Sequence, residues 1–480
     1  MLETIADLWQ RLLSIPHLGW YLVAFWLAYV VCLGLWVILQ KREPAATLSW
    51  LISLATLPYL GFLIYYFLGP QRIKRQRLRR GRVRVALPKP PGGSEPTQEA
   101  LELAKLGQAT TQLPPTTATC AELIVDGAAK YTQVLAAIAK ARDHIHIEYY
   151  IYEPDVTGTA LRDALVERAK AGVKVRLLVD AVGSGKVNSK FVQPLLDAGG
   201  EFCWFHPVRW TRFWRRPWLN LRSHRKIVVI DGTLAFTGGI NVTDGQDERL
   251  GADAYRDLHL RIEGDAVQLL QLVFIEDWAY ATGKPPLQME PVSPRPGQVA
   301  TQVITSGPDA PWEPIHRLHV SAIHAASKRV WLVTPYFVPG EAGRMALTSA
   351  ALGGLDVRLL VPKMSDSRLV TLAARSYYDE LLEAGVQIYE YGPRMLHSKA
   401  LLCDDDLALL GSANFDNRSF RLNFEVQVLF RDVGMTRTLA AHIEAECADC
   451  TQVCHEPDRK RPLWTVRLPE ALARLVSPVL

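Results

Sequence analysis

The stretch Leu221–Gly232, LRSHRKIVVIDG, sets His224, Lys226 and Asp231 in the pattern H-x-K-x4-D. The stretch Met395–Asp406, MLHSKALLCDDD, repeats it with His397, Lys399 and Asp404. In extended backbone, residues i and i+2 face the same way, so each histidine projects beside its lysine. The aspartates fall at an odd offset from the histidines, next to the turn signals DG and DDD. The pattern enrols Asp231 and Asp404 among the candidate catalytic residues, whereas strand parity reads them as turn residues that fix a hairpin. After each hairpin a small-residue turn leads to an asparagine, Asn241 in GGIN and Asn414 in GSAN. An acid then opens the next strand, Asp257 in YRDLHLRI and Glu425 in NFEVQVLF.

The repetition extends upstream. HIHIEYYIYEP (144–154) is echoed by RVWLVTPYFVP (329–339), GVKVRLLVD (172–180) by GLDVRLLVP (354–362), and LLDAGGEFCWF (195–205) by LLEAGVQIYEY (381–391). β-like apolar runs alternate with helical periodicity throughout, which places the chain in the α/β class. Features recurring in one order describe a duplicated unit, with insertions at 206–223 and 242–256. A lone His or Lys on a strand is usually a solvated or satisfied polar group. Four residue types recurring twice in the same order argue for a site made of two halves.

Two such halves face to face supply two imidazoles, two ammonium groups, two amides and two carboxylates, which suits a phosphodiester. Lys226, Lys399, Asn241 and Asn414 would bind the phosphate oxygens and stabilise the pentacoordinate transition state. One histidine would attack phosphorus and the other would protonate the departing alkoxide. The lysines carry the electrostatic work, so no metal and no cofactor is expected.

The first part of the chain has a different character. Residues 18–39 and 45–68 are uncharged apolar runs, each long enough to cross a bilayer, joined by the short QKREP. They predict an antiparallel transmembrane hairpin with Pro58 kinking its second arm and Trp20, Trp50, Tyr65 and Tyr66 at the interfaces. The first run lacks a cleavage site and is followed by a second span, which excludes a cleaved signal peptide. The net charge of +5 is local: residues 72–84, RIKRQRLRRGRVR, hold eight basic residues and no acid. By the positive-inside rule that block outweighs Lys41 and Arg42, which places the catalytic part on the cytoplasmic side of a multi-pass membrane protein. Arg72–Arg84 is expected to contact anionic headgroups. The expected organisation is an N-terminal segment (1–17), the hairpin (18–70), a basic segment and linker with a short helix at Glu99–Leu106 (71–117), and two α/β domains (118–285 and 286–480).

Seven cysteines are too irregular for a disulfide framework and are expected to stay reduced. Cys447, Cys450, Cys454 and His455 superficially suggest a metal site, but no second pair completes a tetrahedral set; they read as a polar-faced helix carrying three thiols. FCWFHPVRWTRFWRRPW (202–218) combines seven Trp/Phe with four Arg and no acid, which suits a bilayer interface better than a nucleic-acid platform.

The paired H-x-K-x4-D motifs with GGIN and GSAN resemble the phospholipase D superfamily. Within it, HRKIVVIDGTLAFTGGIN, TPYFVP, LHSKALL, GSANFDNRSFRLNFEV, the hairpin WLISLATLPYLGFLIYYFLG and the ending RLVSPVL resemble membrane-anchored bacterial cardiolipin synthases. The resemblance covers nearly the whole chain. It implies two tandem pseudo-symmetric α/β/α sandwich domains with one site between them. It also implies transfer of a phosphatidyl group between two phosphatidylglycerol molecules, with release of glycerol. His224 and His397 would be the catalytic histidines, with His224 the expected nucleophile, and Asp257 and Glu425 would orient them. Ser223 departs from the asparagine typical before the first histidine, and DAYRD from a Trp-rich lead-in. The alternatives are a lipid hydrolase, a nuclease or another phosphatidyltransferase of the same superfamily, which the catalytic residues do not distinguish, and an inactive membrane scaffold, which the two intact histidine–lysine pairs argue against. The hairpin disfavours nucleic acid as substrate.

Overall fold

The computed structural model describes residues 16–39, 44–57, 60–61, 63, 65, 97–207, 220–289, 293–454 and 462–477. The chain forms two units, the N-terminal helices in one and the described residues from 97 onward, apart from Asn220, in the other. Residues 1–15, Lys41 and Arg42, Pro58, Tyr66, the basic block 72–84, His455 and most of the aromatic stretch (208–219) lie outside the described residues.

In the N-terminal unit, helix Leu18–Ile38 has 21 residues and carries no charge, so it is long and apolar enough to cross a membrane. A second helix, Pro44–Thr56, packs against it, and Val37, Leu54 and Tyr65 are buried between them. Gly34 permits that approach, since a Cβ there would lie 3.3 Å from Leu51. The described second helix is shorter than the span expected from 45–68.

The larger unit contains two mixed sheets built to one plan. The first runs in the order Cys120–Val125, Leu258–Glu263, Leu234–Gly238, Ile227–Ile230, His144–Tyr149, Lys174–Asp180, Glu201–Phe205. The second contains the series Val299–Ser306, Glu425–Arg431, Leu407–Gly411, Ala400–Cys403, Arg329–Val333, Asp356–Pro362, Gln387–Tyr391, flanked by Thr116–Ala118 and Cys450–Val453. Strand for strand the two series correspond. In each, the last three strands are parallel and the motif hairpin pairs antiparallel beside them.

Side-chain alternation divides the core. Val228 and Ile230 face an outer core with Val134, Ile138, Leu161 and Leu165 of the covering helices. Ile227 and Val229 face inward, into a core shared with Ala400, Leu402, Val426 and Val428 of the second sheet and with helices Ala266–Thr282 and Val433–Ala448. A third core covers the outer face of the second sheet. The halves therefore meet through a common apolar layer, which fixes their relative position.

Two segments differ from expectation. Helix Gln98–Thr111, in the stretch read as linker, is longer than Glu99–Leu106; it is capped by Thr97, and Leu103 joins the core of the second half. Gly107 lies flat against Gln302, whose amide donates to the Ala104 and Leu113 carbonyls at 3.2 Å each. Strand Thr116–Ala118 then pairs with Val299–Thr301 of the second sheet. The cysteine-rich tail is also not one helix, because the helix ends at Ala448 and Cys450–Val453 pairs with strand Gln387–Tyr391 as the last strand of the sheet. Burial pushes the Cys447 and Cys450 thiols up to about 11 and about 12, so both are unreactive. Among the described residues no group of three His, Cys, Asp or Glu is placed to hold a metal.

Leu103→Ala is expected to destabilise the larger unit by about 2–4 kcal/mol through the cavity it leaves. Denaturant unfolding of the purified protein checks this; an unchanged midpoint would mean the helix contributes little.

Candidate active site

The two H-x-K elements lie just upstream of strands Ile227–Ile230 and Ala400–Cys403 rather than inside them. Each is held extended by a bridge to the opposite half. The His224 N–H donates to the Phe424 carbonyl and the Phe424 N–H to Arg222, at 2.9 Å each. In pseudo-symmetric fashion, the His397 N–H donates to the Arg256 carbonyl at 2.7 Å and the Arg256 N–H to Met395 at 2.9 Å. The residue following Phe424 is Glu425 and the one following Arg256 is Asp257. The backbone thus sets each histidine beside the acid of the other half.

The side chains complete the exchange. His224 Nδ1 lies 3.0 Å from the Ser412 carbonyl and 3.0 Å from Glu425. A carbonyl oxygen only accepts, so Nδ1 carries the hydrogen and Nε2 is left with its lone pair. His397 Nδ1 lies 2.6 Å from Asp257 Oδ2, a carboxylate oxygen that accepts, so Nδ1 carries the hydrogen; Lys399 Nζ stands 2.9 Å and the Gln246 amide 3.3 Å from the same nitrogen. Both histidines, both lysines, both asparagines and both acids are buried. Lys226 Nζ donates to the His224 carbonyl at 2.7 Å, and Lys399 Nζ donates to the carbonyl of His397.

The asparagines end the small-residue turns. Asn241 Oδ1 accepts from the Ile151 N–H at 3.2 Å, while its carbonyl accepts from buried Lys130 at 3.0 Å and from Tyr131 at 2.7 Å. Asn414 Nδ2 donates to Asp416 at 3.1 Å, and its Oδ1 has no hydrogen-bond partner among the described residues. Tyr150 and Tyr255 flank the rings of His224 and His397, with centroids 4.9 and 5.4 Å away.

The two ends are not equivalent. Ser412 Oγ donates to Glu425 Oε2 at 2.5 Å. Gly239 occupies the corresponding position in the first half, and a Cβ there would lie 2.1 Å from Asp257 Oδ1. Serine with glutamate and glycine with aspartate are two solutions to one spacing.

Electrostatics follow from burial. Desolvation, then the charges of Lys226, Lys399 and His397, hold the His224 imidazole well below its ordinary value, so it is neutral. His397 is also lowered by desolvation and Lys399, but Asp257 partly offsets this by favouring the imidazolium. Desolvation brings Lys226 down to about 7 and Lys399 to about 8, while burial pushes Glu425 up to about 7. The histidines and lysines of both halves act on one another, as groups in one cluster do.

Asp231 and Asp404, enrolled as candidate catalytic residues, lie at the far ends of their hairpins. Asp231 occupies a turn with positive φ at both Asp231 and Gly232, and its carboxylate accepts the N–H groups of Arg142, Asp143 and His144. Asp404 accepts those of Ser327, Lys328 and Arg329. Each pins the start of the neighbouring central strand and takes no part in the histidine cluster.

Three contributors were not foreseen from sequence. Ser412 sits inside GSAN, but its counterpart is a glycine, so symmetry discards it. Gln246 lies in an insertion with no counterpart. Ser223, the departure from the usual asparagine, donates to buried Glu148 at 2.5 Å, beside the Arg225–Asp277 ion pair.

Comparisons with known proteins agree with this geometry. The family model described as cardiolipin synthase, PLD-like domain, matches residues 134–278 and again 320–447. The chain belongs to that family. A model of the phospholipase D-nuclease N-terminal region matches residues 23–70. A cardiolipin synthase of Geobacillus sp. (strain WCH70) is 41% identical over 474 residues, covering 94% of this chain and 92% of the relative. One from Halalkalibacterium halodurans is 38% identical over 483 residues, covering 96% and 95%. The crystal structure of phosphatidylserine synthase from Haemophilus influenzae Rd KW20 shares the fold, with a TM-score of 0.61 at 16% identity, and covers 79% of this chain and all of that one. As in others of the cardiolipin synthase family, the duplicated PLD-like unit makes this chain a phosphatidyltransferase.

The depressed lysines give a pH dependence with a definite sign. As pH rises through 7 to 8 the free enzyme loses its ammonium charges, so kcat/KM for an anionic phosphodiester is expected to fall across that interval. A kcat/KM profile measured with lipid vesicles and flat to about pH 9 would contradict it.

Proposed function

We propose that this chain is a cardiolipin synthase that transfers a phosphatidyl group from one phosphatidylglycerol to another. The observation that carries the reading is the exchange of acids between halves. It fixes Nδ1–H of both histidines and leaves Nε2 of each available in one lysine-rich cluster. His224 Nε2 attacks phosphorus and the bond from phosphorus to the glycerol oxygen breaks. His397, as imidazolium, gives its proton to that oxygen and glycerol leaves. The terminal hydroxyl of the second phosphatidylglycerol then passes its proton to His397 and attacks the phosphatidyl-histidine, releasing cardiolipin and restoring His224. Phosphorus exchanges one oxygen for nitrogen and back, so no nucleotide is consumed.

The unequal surroundings support this division of labour. His224 gives its Nδ1–H to a neutral carbonyl and to a glutamate raised to about 7, which keeps the imidazole neutral and nucleophilic. His397 is lowered less, because Asp257 at 2.6 Å offsets part of the desolvation and of the Lys399 charge, which makes it the readier of the two to carry the proton of a general acid. Lys226, Lys399, Asn241 and Asn414 serve the phosphate oxygens, Asp257 and Glu425 orient the rings, and Asp231 and Asp404 hold the hairpins. The N-terminal hairpin is proposed to anchor a multi-pass protein in the bacterial cytoplasmic membrane, with Arg72–Arg84 on anionic headgroups and the catalytic unit in the cytoplasm.

Mass spectrometry of lipids formed from phosphatidylglycerol vesicles tests the reading. Cardiolipin and glycerol are expected from the wild type, neither from His224→Ala nor His397→Ala, and undiminished product in EDTA. Phosphatidic acid as the sole lipid product would mean water is the acceptor and the chain a hydrolase. Full activity of His224→Ala would leave a scaffold.

A further inference from the structure

Helical turns run from Leu463 to Leu475, and their polarity is inverted relative to a helix that meets water. Glu470, Ala473 and Ser477 face inward and are buried. Trp464, Leu468, Leu472 and Leu475–Val476 recur at helical spacing on the opposite side. Trp464 is 76% exposed, Leu472 55% and Leu475 75%. Exposed Arg467 lies within this segment, and its one acid, Glu470, is turned inward. The neighbouring helix Arg368–Arg375, joined through an Arg474–Ser376 hydrogen bond and by Arg474 packed 4.5 Å from the Tyr377 ring, also exposes a leucine and an arginine, Leu369 and Arg368.

This surface is tied to the active site at two points. The Ser477 carbonyl accepts from Asn417 Nδ2 at 3.0 Å, and Asn417 follows Asp416, the partner of Asn414. Helix Arg368–Arg375 begins just after Asp366, which accepts from Tyr336 OH at 2.6 Å and whose charge acts on Lys399.

We propose that the stripe Leu463, Trp464, Leu472, Leu475 and Val476 lies in the interfacial zone of an anionic bilayer and holds the mouth of the site against the headgroups. Trp and Leu set among arginines, with no exposed acid on the helix, complement an apolar surface fringed by phosphate. The surface belongs to the larger unit and shares no residue with the N-terminal helices. The proposal rests on the lipid-substrate reading.

The full chain is tested in phosphatidylglycerol proteoliposomes. Trp464→Glu with Leu472→Glu is expected to raise KM for bilayer phosphatidylglycerol roughly tenfold or more, with kcat nearly unchanged, because two large apolar contacts are lost. The same variant should turn over a water-soluble short-chain phosphatidylglycerol like the wild type, which shows that it is folded. Brominated acyl chains should quench Trp464 emission, read as the difference between wild type and Trp464→Phe. Unchanged bilayer KM, or no Trp464 quenching, overturns the proposal. So does conversion of a detergent-solubilised dimer to monomer by the double substitution without Trp464 quenching, which would make the stripe a contact between copies. A wild type that forms no cardiolipin would instead defeat the substrate reading.

Discussion

Neither half of this molecule can orient its own histidine. The imidazole of the first half is held by Glu425 and the Ser412 carbonyl of the second, and that of the second by Asp257 of the first. The same exchange occurs in the backbone, where His224 and His397 each donate an N–H to the residue preceding the other half's acid. Side chains alone could tolerate some drift between halves. Two backbone bridges and a common apolar core cannot, so ring orientation becomes a property of the fold.

The constraint explains why so many charged groups are buried at this junction. Removing lysines and carboxylates from water is costly unless they are paired and hydrogen-bonded. Lys226 and Lys399 each donate to the carbonyl of the histidine two residues earlier, and Glu425 accepts from Ser412 and Asn423. Lys226, Lys399 and Glu425 are brought to about 7 to 8, a range in which an arriving phosphodiester can draw protons onto the lysines. Beyond the cluster, Arg225 paired with Asp277 donates to the Glu425 carbonyl at 3.1 Å, and Arg256 bridges Asp126 and Glu446. These pairs hold the acid-bearing strands against the opposite half.

Much of this was legible in the sequence because duplication makes the pattern self-checking. The paired strands, the motif hairpins and the order Asn then acid could be read by laying one half on the other. What escaped the reading was whatever breaks the symmetry. Ser412 faces a glycine counterpart because Asp257 leaves no room for a Cβ at Gly239. Gln246 comes from an insertion. The exchange of acids was invisible because periodicity reports which face a residue occupies, not which half lies opposite. Thr116–Ala118 joins the second sheet because Val299–Thr301 offers it an edge, a pairing no local propensity encodes. At Asp231 and Asp404 the repeated pattern suggests chemistry, whereas strand parity with turn signals gives the turn placement that the structure shows.

If the halves form one site, each chain can hold only one covalent phosphatidyl group at a time. Rapid quenching of the enzyme with phosphatidylglycerol labelled in its phosphate, followed by counting of acid-labile label per chain, measures this directly. The account predicts a maximum of one phosphatidyl group per chain, located on His224. Two groups per chain, one on each histidine, would show two independent sites and contradict it.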